Sequence, residues 1–218
     1  MKDYQKYIFD LDYTLLIPDW SREDDYLRKC IPLEEQEEFF KQKQAILNEY
    51  ELKFPKYDFK TLSAYFRMHG FTITEETISG WMIHNGETIT DQIAEGAIEL
   101  LEYLKANGKE IVILTSWFSG TQIPRLKRTR LYGYIDKIVA GEDAMKPDLE
   151  SFELAIGNTA KEACLMIGDS PKSDKAGAHN AGIDCYIVDK EHSLMDLLQM
   201  IIGSKEEPLR LSLKREEQ

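Results

Sequence analysis

Short apolar runs that alternate with helical patterns constrain this chain more than any other feature. Glu110–Thr115 is continuously apolar through Ile-Val-Ile-Leu and too short for a helix, the pattern of a strand buried on both faces of a parallel sheet. Tyr7–Leu11 and Cys164–Ile167 have the same character, and Tyr134–Ala140 and Asp184–Val188 read as extended. Helical patterns lie between them. Ala97–Ala106 carries Ile98, Leu101 and Leu104 on one face with Gly108 beyond its end; residues 121–131 look helical; Asp148–Ile156 stops at Gly157; another helix ends at Gly182. Thr159-Ala160-Lys161-Glu162 reads as a capping box ahead of the Cys164 strand. Strands that alternate with helices imply right-handed crossovers. The predicted fold class is α/β: a Rossmann-like, doubly wound, mainly parallel sheet with helices on both faces.

One long block interrupts this rhythm. Residues 18–86 read as all helix. Ser21-Arg22-Glu23-Asp24 offers a cap, and Pro32 opens a charged segment in which Leu33, Phe40, Leu47 and Tyr50 recur at helical intervals. Asp58 to His69 closes at Gly70, and Thr74 begins a helix that carries Trp81. Because Tyr7–Leu11 belongs to the sheet, the block is an insertion after the first strand. The expected organisation is a core of residues 1–17 and 87–204, an all-helical cap of residues 18–86, and a charged C-terminal tail of residues 205–218 containing Pro208.

The balance of charge narrows the partners. With 39 acidic against 27 basic side chains the formal net charge is −12, so the surface repels nucleic-acid polymers and anionic membranes. A small phosphorylated ligand remains compatible, since a local cation and a lysine can invert the field inside a pocket. No apolar run approaches bilayer length, and the start of the chain lacks signal-peptide features, so a cytoplasmic protein, monomer or homodimer, is expected. Cys30, Cys164 and Cys185 lack metal-type spacing and are expected to be buried free thiols.

Ligands of doubly wound sheets bind beyond the carboxyl ends of the strands. Those ends carry Asp10, Asp12 and Thr14; Thr115 and Ser116; Lys146, in the loop before the Asp148 helix; and Asp169 with Asp174. Carboxylates gathered at one edge repel one another unless a cation neutralises them, and oxygen donors without His or Cys favour Mg²⁺. Mg²⁺ is commonly completed by substrate phosphate, so a phosphoryl group is the expected ligand.

These residues also form a resemblance. Asp10-Leu11-Asp12-Tyr13-Thr14 resembles the DxDxT nucleophile motif of the haloacid-dehalogenase superfamily. Ile-Val-Ile-Leu-Thr115, Lys146-Pro147-Asp148 with Phe152, and Gly168-Asp169-Ser170-Pro171-Lys172-Ser173-Asp174 are similar to its later motifs, in order. The similarity covers roughly residues 4–17 and 90–190, and residues 118–144 are most similar to the pyrimidine-nucleotidase and small-phosphatase branches. It implies Asp10 as nucleophile, forming an aspartyl-phosphate. It implies Asp12 as general acid and then base, with its backbone carbonyl on the metal. Asp169 would ligate Mg²⁺ directly, with Asp174 behind it or bound through water. Thr115, the backbone N–H groups of Leu11 and Ser116, and Lys146 would hold the phosphoryl oxygens. The implied reaction is Mg²⁺-dependent hydrolysis of a small phosphorylated metabolite, a nucleoside monophosphate or a sugar phosphate. Two positions depart from the pattern: Tyr13 stands where a small residue, often Gly, is usual, and Ser116 where Asn is common.

Plainer readings stand beside these. Asp10 and Asp12 could be turn carboxylates, Thr115 a strand-end hydroxyl, Lys146 a solvated amine, and Asp174 an acid in the first turn of a helix. Trp20 and Trp81 are read as packing residues of the insertion, with the substrate entrance as the alternative. Arg125, Lys127, Arg128 and Arg130 are read as a solvated helix face, and His69, His84, His179 and His192 as surface or helix-end residues. Functional alternatives are a sugar-phosphate mutase on the same scaffold, a dehalogenase, and a non-catalytic binding protein that keeps the fold.

Overall fold

A computed structural model describes residues 1–204; the expected tail, residues 205–218, lies outside the described residues. In chain order the first elements are β1 (Lys6–Phe9), β2 (Leu16–Asp19), α1 (Leu27–Cys30), α2 (Leu33–Lys53), α3 (Phe59–Met68), α4 (Glu75–Thr88) and β3 (Thr90–Ile93). Then follow α5 (Ala97–Ala106), β4 (Glu110–Leu114), α6 (Ser119–Arg128), β5 (Lys137–Val139) and α7 (Leu149–Ile156). β6 (Cys164–Gly168), α8 (Ala176–Ala181), β7 (Asp184–Ile187) and a helix α9 over residues 194–204 complete the order.

Five strands form a parallel sheet in the order β5-β4-β1-β6-β7, so the fold is the α/β class expected. β1 lies at its centre, with Tyr7 between Ile111 and Leu165 and Phe9 between Ile113 and Ile167. Successive side chains point to opposite faces. Tyr7, Phe9, Ile111, Ile113, Leu165 and Ile167 meet α5, α6 and α9, while Ile8, Val112, Leu114, Cys164 and Met166 meet α7 and α8. Both faces are covered, which is why the central strands lack polar alternation. Each fully buried aliphatic or aromatic side chain contributes about 1.5–3 kcal/mol. The buried face of α5 is Ala97, Leu100, Leu101 and Leu104, an i, i+3, i+4, i+7 stripe, and Ile98 is exposed instead of packed.

The helical block between β2 and β3 has a core of its own around Phe39, Tyr50, Phe66 and Trp81. α2 buries Phe39, Lys43, Ile46, Leu47 and Tyr50, so Leu33 and Phe40 are not its core positions; Leu33 is exposed. Phe118 and Met145, from loops of the sheet domain, join the same cluster. α4 lies against α6 because Gly86 has no side chain; a Cβ there would sit 2.6 Å from the Gly120 carbonyl. Thr121 Oγ1 donates to the Met82 carbonyl (2.9 Å), Tyr57 N to Gly141 O (2.7 Å) and Met145 N to Pro55 O (2.8 Å).

Two local expectations are corrected. Residues 16–19 and 90–93 pair antiparallel, Leu16 with Ile93 and Asp19 with Thr90, so both stems of the helical block are strands rather than helix or loop. Leu16 and Pro18 are buried while Ile17 and Asp19 are exposed, the period-two signature of a half-buried strand. Residues 161–163 form one 3-10 turn with Ala160, not Thr159, at its start and no side-chain cap, because an alanine has no oxygen to accept from the first turn. The cysteines are free, but Cys30 is exposed, Cys185 half-buried and only Cys164 buried. Among the described residues no helix is long and apolar enough to cross a membrane.

Candidate active site

The parallel ladder carries one residue past β1: Asp10 N donates to Ile167 O (2.8 Å). The chain then turns, with Leu15 N and Leu16 N both donating to Leu11 O at 3.0 Å. Tyr13 takes a left-handed φ of 60° in that turn, which explains why a glycine is usual there. A side chain in this region costs about 1–2 kcal/mol. The Tyr13 ring is half exposed and lies on the rim of the cleft described next.

A cleft of about 220 Å³ opens beyond the ends of β1, β4 and β6, lined by Asp10, Asp12, Thr115, Ser116, Lys146 and Asp169. It lies where the strand order departs from β1 to both sides, the crevice in which ligands of such sheets are held. Thr115 continues β4 by donating its N–H to Val139 O (3.0 Å), and its Oγ1 accepts from Trp117 N (3.3 Å) and Gln122 Nε2 (3.0 Å). That oxygen keeps its own proton to donate into the cleft. Ser116 Oγ accepts from Lys146 N (3.1 Å), so the serine fastens the lysine loop to the end of β4.

Lys146 Nζ lies 2.6 Å from Asp10 Oδ1 and 2.6 Å from Asp174 Oδ1. Its side chain is almost wholly buried, so its plain reading as a solvated amine does not hold. Asp174 is fully buried beneath the cleft and also accepts from Ser170 N through Oδ2 (2.9 Å). Gly168 makes room for it: a Cβ there would lie 2.2 Å from Asp174 Oδ2. Asp10, Asp169 and Asp174 each offer a carboxylate oxygen, all within 4.8 Å of one another.

The electrostatics follow from this crowding. Burial pushes the Asp10 carboxyl up to about 7; Lys146 opposes the shift and the neighbouring Asp174 adds to it. Burial, then Asp174, also raises Asp169. For Lys146, burial works against the ammonium, but Asp10 and Asp174 outweigh it and hold its pKa above the ordinary lysine value. Three acids balanced by one lysine leave excess negative charge in a partly desiccated site. A divalent cation with oxygen coordination fits that deficit and that donor set.

The Asp12 carboxylate stands outside this cluster. Its Oδ1 receives Arg125 Nη2 (2.7 Å) and its Oδ2 receives Gln122 Nε2 (2.8 Å). Arg125 is fully buried, and Asp91 accepts from its Nε and Nη2; a solvated face describes Lys127 and Arg130 but not Arg125. Gln122, Arg125 and Leu126 are buried at i, i+3, i+4 on one inward face of α6; the apolar Leu126 beside Arg125 is the sequence signal that could have marked that face. Trp20, Glu23, Gln44, Leu47 and Trp117 line a second recess of about 350 Å³ that reaches Asp12. Trp20 therefore faces a cavity, whereas Trp81 is wholly buried and donates to Glu23 O (2.8 Å). From the helical block, Glu51 reaches the rim of the cleft and accepts from Tyr57 Oη (2.5 Å).

A parallel sheet with a carboxylate–lysine cluster at its carboxyl edge and an inserted helical block defines a class of hydrolase. The chain belongs to the haloacid dehalogenase-like hydrolase family, whose sequence model matches residues 23–188. The pyrimidine 5′-nucleotidase YjjG of Escherichia coli is 39% identical over 98 residues, 42% of this chain and 43% of that protein, so the chain matches less than half of that relative. The pyrimidine 5′-nucleotidase PynA of Streptococcus pneumoniae is 26% identical over 209 residues, 87% of this chain and 85% of that one. In fold, the Bacillus subtilis protein YfnB, solved bound to magnesium, superposes with a TM-score of 0.60 at 24% identity, covering 92% of this chain and 99% of the other.

Proposed function

We propose that the protein is a Mg²⁺-dependent phosphatase that hydrolyses a small phosphomonoester through an aspartyl-phosphate at Asp10. The observation that carries this reading is the convergence of Asp10, Asp12, Thr115, Lys146 and Asp169 on one cleft. The curated relatives named as phosphatases or nucleotidases agree with it.

In this reading Asp10 attacks phosphorus while the Thr115 hydroxyl, the Leu11 and Ser116 N–H groups and Lys146 hold the equatorial oxygens. Lys146 also keeps the buried Asp10 carboxylate ionised enough to react, since it is the cation in contact with it. Asp12 protonates the leaving oxygen and then takes a proton from the water that cleaves the acyl phosphate. Asp10, Asp169, the Asp12 carbonyl and, directly or through water, Asp174 would hold Mg²⁺, which when bound neutralises charge on the transferring phosphoryl group. Residues 18–86 act as the cap that screens the cleft from water.

The recess beside Asp12 supports a nucleoside monophosphate as substrate. Trp20, Trp117 and Leu47 offer apolar walls, and Glu23 and Gln44 offer hydrogen bonds. The neighbouring cation Lys43 is already paired with Glu23 (3.1 Å) and Asp24 (2.6 Å), which disfavours a leaving group with a second negative charge. The test is a phosphate-release screen over nucleoside monophosphates, sugar phosphates and an aryl phosphate, with Mg²⁺ and with chelator. Release should need Mg²⁺ and vanish in Asp10→Asn; turnover that survives this substitution refutes the nucleophile, and transfer of phosphate between sugar positions would favour a mutase.

A further inference from the structure

We infer that Arg125 is a positioning residue that aligns Asp12 for its proton transfers and ties that alignment to the stems of the helical block. The inference rests on the reading of Asp12 as general acid and base.

The guanidinium is a two-sided fork. One side is seated against the β2–β3 strand pair and the tryptophan that follows β2: Nε lies 3.1 Å from both Asp91 oxygens, Nη2 lies 2.5 Å from Asp91 Oδ1, and the plane sits over the Trp20 ring at 5.2 Å. The other side is offered to Asp12 through Nη2 at 2.7 Å. Nη1 donates to Gln122 Oε1 (2.5 Å), which orients that amide so that its nitrogen bonds both Asp12 Oδ2 and Thr115 Oγ1. One amide thus links the acid/base carboxylate to the hydroxyl that faces the phosphoryl group.

Both oxygens of Asp12 are fixed, so the carboxylate cannot rotate freely toward either the leaving oxygen or the water. The anchor is rigid because Arg125 and the Asp91 side chain are both inaccessible to solvent. A buried charge leaves its partner only at high cost. Asp91 lies on β3 and Trp20 directly follows β2, the two places where the chain passes between sheet domain and helical block. Any shift of those stems moves the seat of Arg125 and, through it, Asp12. A lysine could not reproduce this, because it lacks the planar fork that engages two carboxylates at once.

The test compares wild type with Arg125→Lys, Arg125→Met, Asp91→Asn and Asp12→Asn on aryl phosphates whose phenols span a range of acidity. A phenol that leaves easily needs no acid, whereas a poor leaving group does. Arg125→Met should lower kcat/KM by about 10²-fold for the poorest leaving group and by less than about tenfold for the best, within the span of general acid catalysis. The steeper leaving-group dependence should approach that of Asp12→Asn, and a stoichiometric phenol burst should appear as aspartyl-phosphate hydrolysis slows. Asp91→Asn, which does not touch Asp12, should shift both readouts in the same direction. Equal losses for every leaving group, with no burst, would mean that Arg125 merely supports the fold and would overturn the inference. Should Arg125→Met fail to fold, Arg125→Lys and Asp91→Asn carry the same readouts. If Asp12→Asn itself keeps wild-type leaving-group dependence and turnover, the acid/base reading fails first and this inference with it.

Discussion

Replacing Lys146 with Met removes one positive charge while nearly preserving volume, at a point where the geometry sets the size of the effect. Lys146 bridges Asp10 and Asp174 at 2.6 Å each, and among the described residues no other basic side chain pairs with either acid. Removing one partner of a buried pair costs about 3–5 kcal/mol. For a chain of this size that corresponds to a melting point lower by about 6–20 °C. The deficit must depend on pH. Burial already raises Asp10 to about 7, and loss of the ammonium raises it further. A carboxyl raised by folding favours the folded state below its unfolded pKa, and this contribution is lost as pH rises through the folded value. The deficit of the variant should therefore be smaller at about pH 5, where Asp10 is protonated, and should grow as pH rises from about 7 to about 8. Mg²⁺ supplies charge to the same carboxylates, so it should stabilise the variant more than the wild type. Calorimetric melting in chelator and in Mg²⁺, at both pH values, measures all of this. A melting point within about 2 °C of wild type in chelator at about pH 8 would refute the argument that Lys146 holds the cluster together.

Three further outcomes follow from the same geometry. Asp12→Asn should still accept a phosphoryl group on Asp10 but turn over about 10²–10⁴-fold more slowly, visible as a burst followed by a slow steady state; rapid steady turnover would count against its acid/base role. Mg²⁺ affinity should rise with pH, most steeply around the Asp10 value of about 7, because bound protons on Asp10 and Asp169 must leave; titration calorimetry showing the same affinity at acid and alkaline pH would contradict it. Gly168→Ala should cost about 1–3 kcal/mol and weaken Mg²⁺ binding, since the added methyl strikes a carboxylate already pinned by Ser170 and Lys146; an alanine variant with unaltered stability and metal affinity would show that Asp174 can move.

Local pattern was enough to determine the sheet and the neighbourhood of the site. Continuous apolar runs around Ile8, Val112 and Met166 could only be strands covered on both faces, and parallel strands present their carboxyl ends at one edge. Asp10, Thr115 and Asp169 each lie at or just past such a run, so their convergence was written into sequence order. Other features depended on chain segments far apart. Residues 16–19 are too few to announce a strand until residues 90–93 pair with them. Arg125 reads as one cation among several on a polar helix; its burial comes from Asp12, 113 positions away, and Asp91, 34 positions away. Trp20 and Trp81 look equivalent in sequence, yet only the folded chain sets one beside a recess and the other inside a core. Periodicity reports which face of an element is apolar, because that depends on neighbours three or four residues off. The partner of a buried charge is chosen by three-dimensional packing, and no local period encodes it.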